Sequence, residues 1–300
     1  MKYQILVVLL LLFAANTAAG EPVSYSSGIC KFNLYNYQLA PHIERAIVFG
    51  TSRIVDTYRD TFGFSYPDGF EVKITIFDNQ DEFIEYQKKQ HPGSIVSKTG
   101  YYSGRYHEAV VWKNKDPKTM VGVVFHEANH LILGYHIPWS PNWVNEGLSE
   151  YFEGLNVFGE NRRVFLQQNR AKWCKHWLKK GFPMEPDKYL SLNHNQWLNF
   201  KNKNSNAAYT IGYSLVYFLM SRSNTEEVLK ELLWDFKKNG KDANSIQTIN
   251  NFYPGGVKKL QRQWLKWIPR ARPYRPLRAL RKQAKQAKKE QDTNSPLSKD

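Results

Sequence analysis

Cysteine is almost missing from this chain: its 300 residues hold two, Cys30 and Cys174. That scarcity excludes a disulfide-stapled scaffold and a metal site built from thiolates alone. It leaves room for one disulfide or two buried thiols. Long apolar runs are missing too, except at the start. Residues 5–13 are uncharged, but that run is roughly half of the ~20 residues a membrane-crossing helix needs. Lys2 stands before it and Thr17, Ala18, Ala19 and Gly20 follow, the layout of a cleaved secretory leader over 1–20. The expectation is a secreted or periplasmic protein with no membrane span after cleavage. Cys30 lacks the small-residue setting that lipid attachment behind a leader requires, and no internal repeat is present.

Acidic residues are also short, with 27 Asp+Glu facing 42 Lys+Arg for a formal net charge of +15. The excess belongs to one end. Residues 258–300 hold 14 Lys+Arg and 3 Asp+Glu, which is +11 of the total and leaves +4 for everything before. From Pro269 onward the chain has too few large apolar residues to join a core. The expected division is a leader (1–20), a folded domain (21–268) and a basic disordered tail (269–300). The domain divides again into an α/β part to residue 134 and a helical part over 135–268. Such a tail suits anionic lipid or cell-envelope polymers; nucleic acid is not an expected partner outside the cytoplasm. The folded portion is long enough for one sizeable core.

Apolar spacing predicts a helix over 41–62, closing at Gly63, and a half-buried strand over 70–77. A helix over 80–90 follows, then strands at "TGYYSG" and "EAVVWK" joined by a turn near residues 105–107. The next helix should start at the cap Asp116 with Pro117 in its first position, and stop at Gly134. Ser140 and Pro141 repeat that start for a second helix carrying "VNEGLSEYFEGL". Further helices are expected over 161–180, 207–222, 226–238 and 256–267.

The first of the two capped helices contains "HEANH", residues 126–130. Positions i and i+4 share a helix face about 6 Å apart, so His126 and His130 can converge on one ion with Glu127 beside them. A catalytic zinc takes three protein ligands and leaves a fourth place for water. The next helix offers Glu146 as the third ligand. Glu150, one turn on, is then expected to accept the spare ring N–H of a ligand histidine and fix its tautomer. His42, His91, His107, His136 and His176 lack partners at ligand spacing and read as surface or loop residues.

HExxH followed by a helix bearing N-E-G-x-x-E-Y resembles the gluzincin metallopeptidases, a group that includes the thermolysin and aminopeptidase N families and the smaller peptidase MA-like domains. The resemblance implies zinc held by His126, His130 and Glu146, with Glu127 as general base. It also implies an α+β fold: a thermolysin-like zincin domain whose small mixed β-sheet packs on the zinc helix, followed by a mostly helical second half. Fifteen residues separate His130 from Glu146, a shorter spacer than in thermolysin or aminopeptidase N. This favours the compact MA-like group, as does the approach "PWSPNW".

Downstream, "AAYTIGYSLVYFL" is similar to the Tyr-x-x-Gly of aminopeptidase N relatives, which implies that Tyr209 donates to the oxyanion. Tyr213 and His194 are fallback donors, and a plain core helix with an aromatic stripe is the alternative. The resemblance further implies that "EAVVWK" is an exposed edge strand above the metal, ready to pair with an extended peptide; an interior strand is equally compatible with its residues. No Gly-Ala-Met-Glu-Asn exopeptidase signature occurs. The expected function is a secreted zinc endopeptidase acting on peptides or proteins. The alternative is a non-catalytic zinc-containing binding protein anchored to anionic envelope surfaces by the tail.

Overall fold

A computed structural model describes residues 21–158 and 163–271. The leader expected over 1–20, and the tail expected over 269–300 apart from its first three residues, lie outside the described residues. The chain opens with a hairpin that the sequence pattern did not announce, β1 (Val23–Ser27) and β2 (Cys30–Tyr35), paired antiparallel with Ser27 opposite Cys30. Its polar first strand hides the alternation, which shows only in the buried Cys30, Phe32 and Leu34. Helix α1 (Pro41–Asp60) has proline in its first turn, where the missing N–H costs nothing. Then come β3 (Val72–Phe77), α2 (Gln80–Gln90), β4 (Gly100–Ser103) and β5 (Glu108–Trp112).

The five strands form one mixed sheet in the order β1-β2-β3-β5-β4. The central β2, β3 and β5 are parallel, while β1 and β4 run antiparallel at the two edges. Parallel neighbours need a long crossover, which α1 and α2 supply. Ile74, Ile76 and Val111 share a core with α1 and the next helix, whereas Phe77 and Val110 pack with Phe83 of α2. The strand at 108–112 is therefore interior, which corrects the edge-strand expectation. The edge is β4.

Helix α3 (Pro117–His136) begins as its sequence indicates. Asp116 accepts from the N–H groups of Lys118 and Thr119, and Pro117 follows. It runs past Gly134 to His136 because the Tyr135 and His136 rings pack on Tyr66 and hold the final turn. Helix α4 (Asn142–Glu153) starts one residue later than expected: Pro141 is its cap and Ser140 makes no cap bond. The helical half continues with α5 (Gln168–Lys180), α6 (Pro186–Leu190), α7 (His194–Lys203), α8 (Ser205–Leu219), α9 (Ser223–Asn239), α10 (Ser245–Phe252) and α11 (Gly256–Trp267). The short α6, α7 and α10 were not foreseen.

Helix α8 is buried nearly all round from Ala207 to Leu219, as a helix at the centre of a bundle must be. It crosses α4 at unusually close range. A Cβ on Gly147 would stand 2.8 Å from the Gly212 carbonyl oxygen, and one on Gly212 would stand 2.8 Å from that of Trp143. The glycines of "NEG" and "YTIG" are thus one contact, which lets two helix backbones touch.

Both cysteines are buried and unbonded, so the pair are thiols and not a disulfide. Burial pushes Cys30 up to about 12 and Cys174 up to about 11, far from the thiolate range in which cysteine reacts. Among the described residues, no helix is long and apolar enough to cross a membrane.

Candidate metal centre

Helices α3 and α4 pack antiparallel, so successive turns of one meet successive turns of the other in reverse order. The His126 and His130 rings are 5.0 Å apart between centroids. Their Nε2 atoms lie 3.4 and 3.8 Å from Glu146 Oε2, and the donor atoms of all three residues fall within 4.8 Å of one another. Around a tetrahedral zinc with bonds of roughly 2.0–2.2 Å, neighbouring ligand atoms stand about 3.2–3.6 Å apart. The two separations to Glu146 Oε2 match that geometry to within a few tenths of an ångström.

The opposite ring nitrogens are tied down. Nδ1 of His130 lies 2.9 Å from Asn145 Oδ1 and 3.2 Å from Ser149 Oγ, and Nδ1 of His126 lies 3.1 Å from Glu153 Oε2. Asn145 Oδ1 and a carboxylate can only accept, so each Nδ1 carries a proton, and in the neutral ring the Nε2 lone pair is left for an ion. Behind His130 a relay reaches α1. Tyr58 Oη donates to Asn129 Oδ1 at 2.8 Å, and Asn129 Nδ2 donates to Ser149 Oγ at 2.9 Å.

Electrostatics favour a cation between these groups. Burial pulls His126 down, yet its bonds to Glu146 and Glu153 overcome that and hold it well above the usual imidazole range. Burial lowers His130. Glu146 meets the reverse balance, since burial raises it but His126 and His130 bring it below the ordinary carboxylate value. Glu127 is pushed up to about 7, chiefly by burial, with the charges of Glu146 and Glu153 adding to it. Carboxylates outnumber cations at the centre, and the donor set fits zinc.

A family model described as "Predicted Zn-dependent protease (DUF2268)" matches residues 63–235, more than half of the chain. The chain belongs to this family. The matched span contains α3, α4 and α8, and no curated protein matches the sequence. Membership in a predicted zinc-dependent protease family agrees with the donor chemistry of His126, His130 and Glu146.

The protease centre departs from the sequence reading at Glu150. Both its oxygens receive Arg170, Nε at 3.0 Å to one and Nη2 to the other; Glu153 holds His126 instead. The reason is helical phase. Seven residues past Glu146 the helix has turned only about 20° short of a whole number of turns, whereas four residues past it the turn overshoots by about 40°. Two turns up an antiparallel helix also reaches the earlier histidine.

Tyr209, on the first turns of α8, has its hydroxyl pK raised by burial first, then by the charges of Glu146, Glu150 and Glu127, which places it in the same electrostatic neighbourhood. Tyr213 is excluded as the fallback donor, because it is buried and its Oη accepts the Gln167 N–H at 2.8 Å. His194 is exposed at the start of α7, with Nδ1 3.0 Å from Asn142 Oδ1. His91 and His107 meet Ser103 and Tyr102, and His136 stacks on Phe64; none joins the centre. Asn145, Ser149 and Glu153 were missed. Their signal was available, since all three recur on the α4 face that carries Glu146.

Proposed function

We propose that this family member is a gluzincin-type endopeptidase of the peptidase MA-like group with a thermolysin-like arrangement. The observation that carries this reading is the convergence of two Nε2 lone pairs and the Glu146 carboxylate from α3 and α4, with a buried glutamate next to the first histidine. When bound, zinc supplies Lewis-acid polarisation of the scissile carbonyl and lowers the pKa of water. His126, His130 and Glu146 hold the ion, while Glu153, Asn145 and Ser149 hold the rings. Glu127, poised near neutrality, takes a proton from the attacking water on its carboxylate and delivers it to the leaving amine. Tyr209 Oη donates to the oxygen that gains charge.

Strand β4 offers its outer edge to an extended substrate. A Cβ on its Gly100 would stand 3.2 Å from Glu127 Cγ, so the strand runs beside the proposed base. A protein or peptide outside the cytoplasm is the proposed substrate, reached after secretion, with the basic tail docking on anionic envelope surfaces.

The test is metal analysis together with proteome-derived cleavage profiling of the wild type and Glu127→Gln. One zinc per chain in both proteins, with cleavage by the wild type alone, is the expected result. Undiminished cleavage by Glu127→Gln removes the base from the mechanism. Zinc without cleavage by the wild type turns the reading to a zinc-containing binding protein.

A further inference from the structure

Two cations flank the Tyr209 ring, and they are held in opposite ways. Arg170 lies 5.8 Å from the ring centroid, and its guanidinium is committed elsewhere. Nε and Nη2 donate to Glu150, while Nη1 reaches Asn206 Oδ1 at 3.4 Å and Thr210 Oγ1 at 3.2 Å. That residue is a strut joining α5 to α4 and α8. Lys201 Nζ lies 5.5 Å from the same centroid and 5.7 Å from the Trp197 ring. Among the described residues its ammonium has aromatic faces and no carboxylate within ion-pair distance.

The position of Lys201 follows from α7. His194, Trp197 and Lys201 are spaced i, i+3 and i+7 and so share one stripe. Trp197 is buried and meets Tyr209 edge-on at 5.7 Å. His194 holds Asn142, one turn before Glu146 on α4. This stripe walls the side of the centre on which Tyr209 stands. Tyr209 itself stands one turn before Gly212, whose backbone meets that of Gly147, the neighbour of Glu146. A lysine present only to offset the buried glutamates would pair with one of them. Lying on two rings instead, this ammonium keeps its three N–H donors for an incoming group.

We infer that Lys201 is the receptor for a carboxylate of the substrate, supplied either by an acidic side chain near the scissile bond or by the chain's own C-terminus. The inference rests on the peptidase reading above and adds substrate class to it. Such a charge-assisted contact at a partly exposed lysine is worth about tenfold in affinity.

Four hexapeptides with one Ala/Phe core test it: Glu or Gln beside the central bond, each as free acid and as C-terminal amide. They are titrated by calorimetry into zinc-loaded Glu127→Gln protein and into the same protein with Lys201→Gln. The expected result is that the carboxylate form of one pair binds about tenfold tighter than its neutral counterpart, and that Lys201→Gln erases this margin alone. The Glu/Gln arm and the acid/amide arm tell which carboxylate is read.

Equal affinities for all four peptides, binding of none, or an equal loss for all four in the double variant each overturn the inference. In the otherwise wild-type protein, Lys201→Gln should raise KM for the preferred peptide and leave its kcat unchanged. A binding preference without hydrolysis by the wild type defeats the peptidase reading only, and hydrolysis without a preference defeats the Lys201 inference only.

Discussion

Two glutamates, one in the sheet and one in the centre, are both buried and have opposite surroundings. Glu108 on β5 is 0% exposed and accepts from Thr75 Oγ1 at 2.6 Å, Tyr86 Oη at 3.0 Å and Gln90 Nε2, with Lys73 Nζ at 3.2 Å. Glu127 on α3 is 7% exposed, has no other side chain bonded to its carboxylate among the described residues, and feels the charges of Glu146 and Glu153. A buried charge that is fully partnered fixes strands and helices in place. One that is left under-partnered has its proton affinity moved towards neutrality, where it can trade protons with substrate.

The sharpest way to break this contrast is at Glu127. Glu127→Gln should lower kcat by about 10³-fold or more while the thermal midpoint and zinc content stay close to wild type; a large fall in the midpoint would make Glu127 a second Glu108. Next in size is Glu108→Ala. It strands the Thr75, Tyr86 and Gln90 groups and should cost about 3 kcal/mol in urea unfolding, with kcat per folded molecule unchanged.

Tyr209→Phe removes one donor and should reduce kcat about 10²-fold at nearly constant KM; an unchanged kcat returns Tyr209 to the aromatic wall. Smallest is Glu153→Gln. Loosening the His126 ring should weaken zinc about tenfold in a chelator competition, whereas an equal effect from Glu150→Gln without loss of stability would restore the role first expected of Glu150.

Much of this was legible because the informative features are local. Asp116 and Pro117 mark a helix start by their own chemistry, and i, i+4 spacing puts His126 and His130 on one face before any packing is known. What stayed hidden depends on partners distant in sequence. Whether Glu150 or Glu153 meets His126 is decided by the phase and direction of α4 against α3, and by Arg170 arriving from α5 to claim Glu150. Strand order was hidden for the same reason. The residues of "EAVVWK" suit an edge or an interior equally, and only the crossover through α2 puts β5 inside β4. Helix α7 escaped notice because its large apolar residues, Trp197, Leu198 and Phe200, fall within four positions and show no repeat along its length, and Lys201 escaped with it.

The two middle letters of "HEANH" are the ones a motif search treats as free. Ala128 and Asn129 are both 0% exposed, and Asn129 is bonded on one side to Tyr58 and on the other to Ser149. Anyone transplanting the five residues onto a foreign helix would therefore carry over the ligands without their bracing. The smallest portable unit includes a tyrosine 71 positions upstream of Asn129 and a serine 20 downstream, so the motif that reads as a pentapeptide is, as an engineering part, three helices wide.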